Sequence, residues 1–196
     1  MELKKIYIVI SQTGTMLSKV IRLYTGDKYN HASIALDPDL KQMYSFGRVN
    51  PYNPVIGGFV KESPTSGTFK RFYNTDVAII ELAIDSKKYD AIKQELEEMY
   101  DRKQDYHYNY KGLILAMFNK PRHKIGCFYC SEFVYEFCRN YDIDLGIEGN
   151  VVKPMDLFNL PGGRIIYEGK LRAYHRMRMR ESQNKPKITV PKKKTV

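Results

Sequence analysis

The chain has no tryptophan, only three cysteines and only four histidines in 196 residues. Three is an odd number, so the thiols cannot all pair, and a full disulfide framework is excluded. No second C-x-x-C and no H-x-x-x-H accompanies Cys127 and Cys130, and His123 offers at most a third ligand. A closed zinc site needs about four ligands at suitable spacing. No apolar run approaches the roughly 18–20 residues of a membrane-spanning helix. The opening MELKK and the short run IYIVI lack a secretory leader's cleavage pattern. Internal repeats are also missing. These absences lead to the expectation of a soluble chain with free thiols in a reducing, cytoplasmic compartment, with no metal and no cofactor.

What is present fits one domain with a proper core: apolar residues make up 43% of the chain, including 16 Tyr and 9 Phe. The net charge of +10 is unevenly spread. From Lys170 onward there are ten basic residues and one acid, Glu181 (+9), which leaves 22 basic and 21 acidic residues before it (+1). Two regions are therefore expected: a near-neutral folded domain over 1–174 and a basic, flexible tail over 175–196.

Hydrophobic periodicity places the elements. Ile6 to Ile10 reads as a buried strand, and Leu17, Val20, Ile21 and Tyr24 as one face of a helix stopped at Gly26. His31–Leu36 and Gln42–Arg48 alternate around DPDLK and read as a hairpin. Residues 50–67, rich in Pro and Gly, read as a long loop. Thr68–Tyr73 and Val77–Ile84 read as strands. Ser86 is expected to cap a helix running to about Arg102. Further helices are expected over Lys111–Phe118, from Cys130 to Tyr141, and in PMDLFNL, with a last strand over Arg164–Leu171. The sum is an α+β fold.

All three cysteines lie in GCFYCSEFVYEFC. Cys130, Phe133, Val134, Phe137, Cys138 and Tyr141 share one helical face, with Cys130 first. At a helix N-terminus a cysteine meets the positive end of the macrodipole and free amides, which favour the nucleophilic thiolate and can bind an oxyanion. Cys138, mid-helix, has neither aid and reads as packing. Cys127 lies in the approach. Metal ligation and a thioredoxin-like redox pair compete with a single nucleophile at Cys130, which needs a base brought close by folding.

Among the histidines, His175 falls in the tail, His107 among surface aromatics and His123 in a basic loop. His31 opens the strand HASIAL, where a rigid backbone can position a general base. Its orienting partner is left open between Ser45, across the hairpin, and Glu62 in GGFVKES.

YNHASIAL followed by MYSFGR, and then FYCSEFVYEFC, KPMDLFNLP and IIYEGKL, resemble in kind and order the circularly permuted papain-like superfamily of NlpC-type cysteine hydrolases. HASIAL with YSFG is also similar to the deSUMOylating isopeptidase-like branch, in which a His–Cys dyad suffices. The resemblance spans roughly residues 5 to 173. It implies a permuted papain-like fold in which an antiparallel sheet carries the histidine beside the cysteine helix. It also implies Cys130 as nucleophile and His31 as base, with Tyr129 and Ser131 beside the oxyanion position. The activity implied is that of a cysteine peptidase, amidase or isopeptidase working through a thioester. The alternatives are a lipid or other acyltransferase of the same fold, or a non-catalytic module binding nucleic acid or an anionic membrane through the tail. The partner expected is a peptide, isopeptide or lipid-type carbonyl substrate.

Overall fold

A computed structural model of the chain describes residues 2–14, 23, 26–118, 120, 124–149 and 151–184. Eight strands form one sheet in the order β7-β6-β4-β3-β2-β1-β5-β8. They are β1 (Leu3–Gln12), β2 (His31–Ala35), β3 (Met43–Arg48), β4 (Gly57–Glu62), β5 (Asp76–Asp85), β6 (His107–Tyr108), β7 (Cys127–Phe128) and β8 (Arg164–Lys170). Every pairing is antiparallel except the short β6–β7 pair. The helices named among the described residues are α1 (Gly67–Arg71), α2 (Ser86–Asp101), α3 (Tyr110–Met117), α4 (Cys130–Asn140) and α5 (Leu171–Asn184). A 3-10 turn covers Pro154–Leu157.

The β2–β3 hairpin forms as its alternation predicts, with Ile34 opposite Tyr44. One face of the sheet carries Ile8, Ile34, Tyr44, Phe46 and Phe59 against Phe133, Val134 and Phe137 of α4. Phe46, Phe59, Phe128 and Phe133 pack with ring centroids 5.2–6.4 Å apart. The second face buries Val9, Ala35, Met43 and Val77 under Phe69 of α1 and Leu171 and Tyr174 of α5.

Four local readings are corrected. Residues 57–62, taken as loop, are strand β4. Gly57 and Gly58 look like breakers in sequence but permit close approach: a Cβ at Gly57 would stand 2.7 Å from the Tyr108 Cβ, and one at Gly58 2.9 Å from the Tyr106 carbonyl oxygen. Thr68–Tyr73, taken as a strand, is mostly the single-turn α1, whose one buried residue is Phe69. The α2 cap is Asp85, whose carboxylate accepts from the Lys87 amide, rather than Ser86. The chain after Tyr174, expected to be a flexible tail, continues as α5 to Asn184. That helix is held partly by polar anchors, which apolar periodicity does not register. The Tyr174 hydroxyl donates to the Pro38 carbonyl at 2.7 Å, and Arg178 pairs with Asp39 at 3.0 Å. His175, on this helix, is half-buried with Nδ1 enclosed. The helix expected over Leu17–Tyr24 and the His123 loop lie outside the described residues, Leu23 excepted.

Candidate active site

Helix α4 starts at Cys130 because the chain arrives extended at Tyr129 and the first turn is satisfied from within. The Glu132 carboxylate accepts from the Tyr129 amide at 3.1 Å. That is half of a capping box, with an acidic group at the positive end of the helix. The amides of residues 130–132 have no carbonyl one turn earlier inside the helix. Phe133, Val134, Phe137 and Cys138 bury the expected face. Cys138 is enclosed, and burial pushes its thiol up to about 12, as suits a packing role.

His31, at the start of β2, lies close enough to the Cys130 side chain for that thiol to raise its pKa. Its Nε2 lies 3.1 Å from both carboxylate oxygens of Glu62, on the neighbouring end of β4. With Nε2 held there, Nδ1 is the ring nitrogen left for the sulfur. Both partners are shielded, at 12% exposure for the His31 side chain and 9% for Glu62. Ser33 Oγ donates to Glu62 Oε2 at 2.7 Å and steadies the carboxylate. Burial pulls the imidazole toward the neutral form. The Glu62 charge and hydrogen bonds from Cys130 and Glu62 outweigh it and hold the ring at about 10.

Of the two candidate orienters, Glu62 is therefore the one brought to the histidine. Ser45 is fully buried and donates to the Ala32 carbonyl at 2.6 Å. By the hairpin register it lies one pair along, opposite Ser33 rather than His31. Ser131 and Tyr129 do not turn their hydroxyls to the sulfur. Ser131 Oγ donates to the Val152 carbonyl at 2.7 Å, and the Tyr129 hydroxyl is bonded to the Val152 backbone. Together they pin the start of α4 to the segment ahead of the 3-10 turn. Cys127 is buried in β7.

Sequence reasoning missed Tyr108. Its hydroxyl hydrogen-bonds Cys130, and burial, then the charge of Cys130, push its pKa well up. Tyr108 is therefore a neutral O–H donor at the sulfur. The one sequence signal was DYHYNY, a tyrosine run ahead of the helix; its role depends on the β6–β7 pairing that sets Tyr108 beside Phe128.

Among the described residues, no group of three or more His, Cys, Asp or Glu is arranged to hold a metal ion, and no helix is long and apolar enough to cross a membrane. No family model and no curated protein matches the chain. Among solved structures, the chain is similar to the metalloprotein YiiX from Escherichia coli O157:H7. That match has 15% identity, covers 85% of this chain and 98% of that one, and has a TM-score of 0.50. At that identity the likeness concerns the fold, in keeping with a mixed α+β architecture.

Proposed function

We propose that the protein is a cysteine-dependent acyl-transfer enzyme, a thiol hydrolase of the permuted papain-like type, with Cys130 as nucleophile, His31 as base and Glu62 as orienting group. The observation that carries the reading is the chain of contacts Glu62–His31–Cys130 at the start of a buried helix. A buried ring flanked by a carboxylate on one nitrogen and a thiol on the other has the parts of a nucleophile–base–orienter site.

The imidazolium and the Cys130 thiolate form an ion pair. The sulfur attacks an amide or ester carbonyl carbon, a C–S bond forms, and the carbonyl oxygen takes the negative charge. The Tyr108 hydroxyl and the first-turn amides of α4 are the donors for that oxyanion. Collapse breaks the C–N or C–O bond, and His31 gives its proton to the leaving group. Water attacks the thioester as His31 takes its proton, and collapse breaks the C–S bond, releasing the acid and regenerating the thiolate–imidazolium pair. Glu62 stays charged throughout and keeps the ring in place.

Incubation with p-nitrophenyl acetate tests this. The expected result is a burst of about one equivalent of nitrophenol per chain, with acetyl mapped to Cys130 and lost in Cys130→Ala. Equal acetylation of Cys127, Cys130 and Cys138 would overturn the assignment. Release to an added alcohol or amine in preference to water identifies an acyltransferase of the same chemistry.

A further inference from the structure

Two surface segments meet near Tyr108. One is the β3–β4 loop, residues 49–56; the other is helix α3. Tyr110, the first residue of α3, donates from its hydroxyl to the Pro54 carbonyl at 3.4 Å. Tyr108, which touches Cys130, lies two residues ahead of α3. Tyr52, Val55, Ile56, Ile114 and Phe118 are each more than half exposed, and most are aliphatic. Scattered exposed apolar residues are ordinary, but a contiguous group signals an interaction surface.

The charge pattern names the partner. No Asp or Glu occurs from Leu40 to Lys61, nor from Tyr106 to Ser131. The second span carries Lys111, Lys120, Arg122 and Lys124. Lys111, three residues before Ile114, and Lys120, two residues after Phe118, are exposed. Aliphatic side chains flanked by cations suit the boundary between headgroups and acyl chains of an anionic bilayer, with the apolar groups entering about 5–10 Å. Nucleic acid would use the cations but leave the aliphatic groups in water. A second copy would bring lysine against lysine.

We infer that helix α3 and the 49–56 loop form an interfacial docking surface for anionic membranes. The surface stands on its own residues and does not depend on the thiol chemistry.

Co-sedimentation of the full chain with phosphatidylcholine vesicles, pure or with about one-third phosphatidylglycerol, tests it. Stronger binding to the anionic vesicles is expected. The double variant Val55→Glu/Ile114→Glu should weaken it at least about tenfold. Cys130→Ala should bind like the wild type, which separates docking from catalysis. Both variants are checked by circular dichroism and melting temperature. As milder substitutions, Val55→Ser/Ile114→Ser should weaken binding in the same direction. No sedimentation with either vesicle, or undiminished binding by both double variants, overturns the proposal. So does loss of binding in Lys192→Gln/Lys193→Gln/Lys194→Gln alone, which assigns it to the C-terminal basic cluster. A dimer in solution that Ile114→Glu dissolves assigns the face to a second copy, which also overturns it.

Discussion

Replacing Glu62 by Gln removes one charge while keeping an oxygen for Ser33 and His31. The wild-type imidazole is held at about 10 against a usual 6.5. That difference corresponds to about 5 kcal/mol in favour of the protonated ring. Coulomb attraction across 3.1 Å at an effective dielectric of about 20 gives about 5 kcal/mol, so the carboxylate charge is a major part of the preference, which burial opposes and Cys130 reinforces. Without it, burial dominates and the ring becomes neutral at pH 7. The Cys130 sulfur then loses the positive charge beside it, so its alkylation by iodoacetamide at pH 7 should slow. The rate, followed by mass spectrometry against pH, is the assay. Equilibrium unfolding provides a second reading. A histidine raised above its unfolded value stabilises the fold fully below about pH 6.5, and that contribution is lost as pH rises through about 10. The stability gap between wild type and Glu62→Gln should therefore be widest at or below neutral pH and close toward pH 10. Wild-type alkylation rates in Glu62→Gln at pH 7, with no pH-dependent gap, would refute the assignment of Glu62 as the group holding the ring.

Tyr108→Phe removes the hydroxyl beside the sulfur and, if that hydroxyl also serves the oxyanion, should lower acyl transfer about 10²-fold while thiol alkylation falls by only a few fold; equal losses in both assays would limit Tyr108 to the sulfur and remove it as an oxyanion donor. Ser131→Ala breaks the bond to Val152 and should cost about 1 kcal/mol in urea unfolding, with little change in acylation rate. Phe133→Ala, in the centre of the aromatic cluster, should cost about 3–5 kcal/mol by the same measurement. Gly57→Ala would press a methyl onto Tyr108 and should slow acyl transfer more than a Gly58→Ala change, which meets the Tyr106 backbone. Equal effects would remove the link between β4 and Tyr108.

Local pattern alone determined the β2–β3 hairpin, the cysteine helix and its buried face, and the placing of Cys130 at the helix start and Cys138 on its packed face. These follow from period-2 and period-3.6 alternation and from the position of one residue at a helix start. They concern neighbours in sequence, where spacing translates directly into direction. Tertiary structure decided the rest. Ser45 and Glu62 were equally plausible orienters until β4 was seen as a strand pairing β3, which sets Glu62 opposite Met43 and its carboxylate on the His31 ring. Strand β4 was hidden because its glycines serve close packing against residues 106–108, about 50 positions away. Tyr108 became part of the site through a two-residue parallel pairing too short to leave a periodic trace. Helix α5 escaped notice because Tyr174 and Arg178 anchor it by hydrogen bonds to Pro38 and Asp39, and such partners are specified only when distant segments meet.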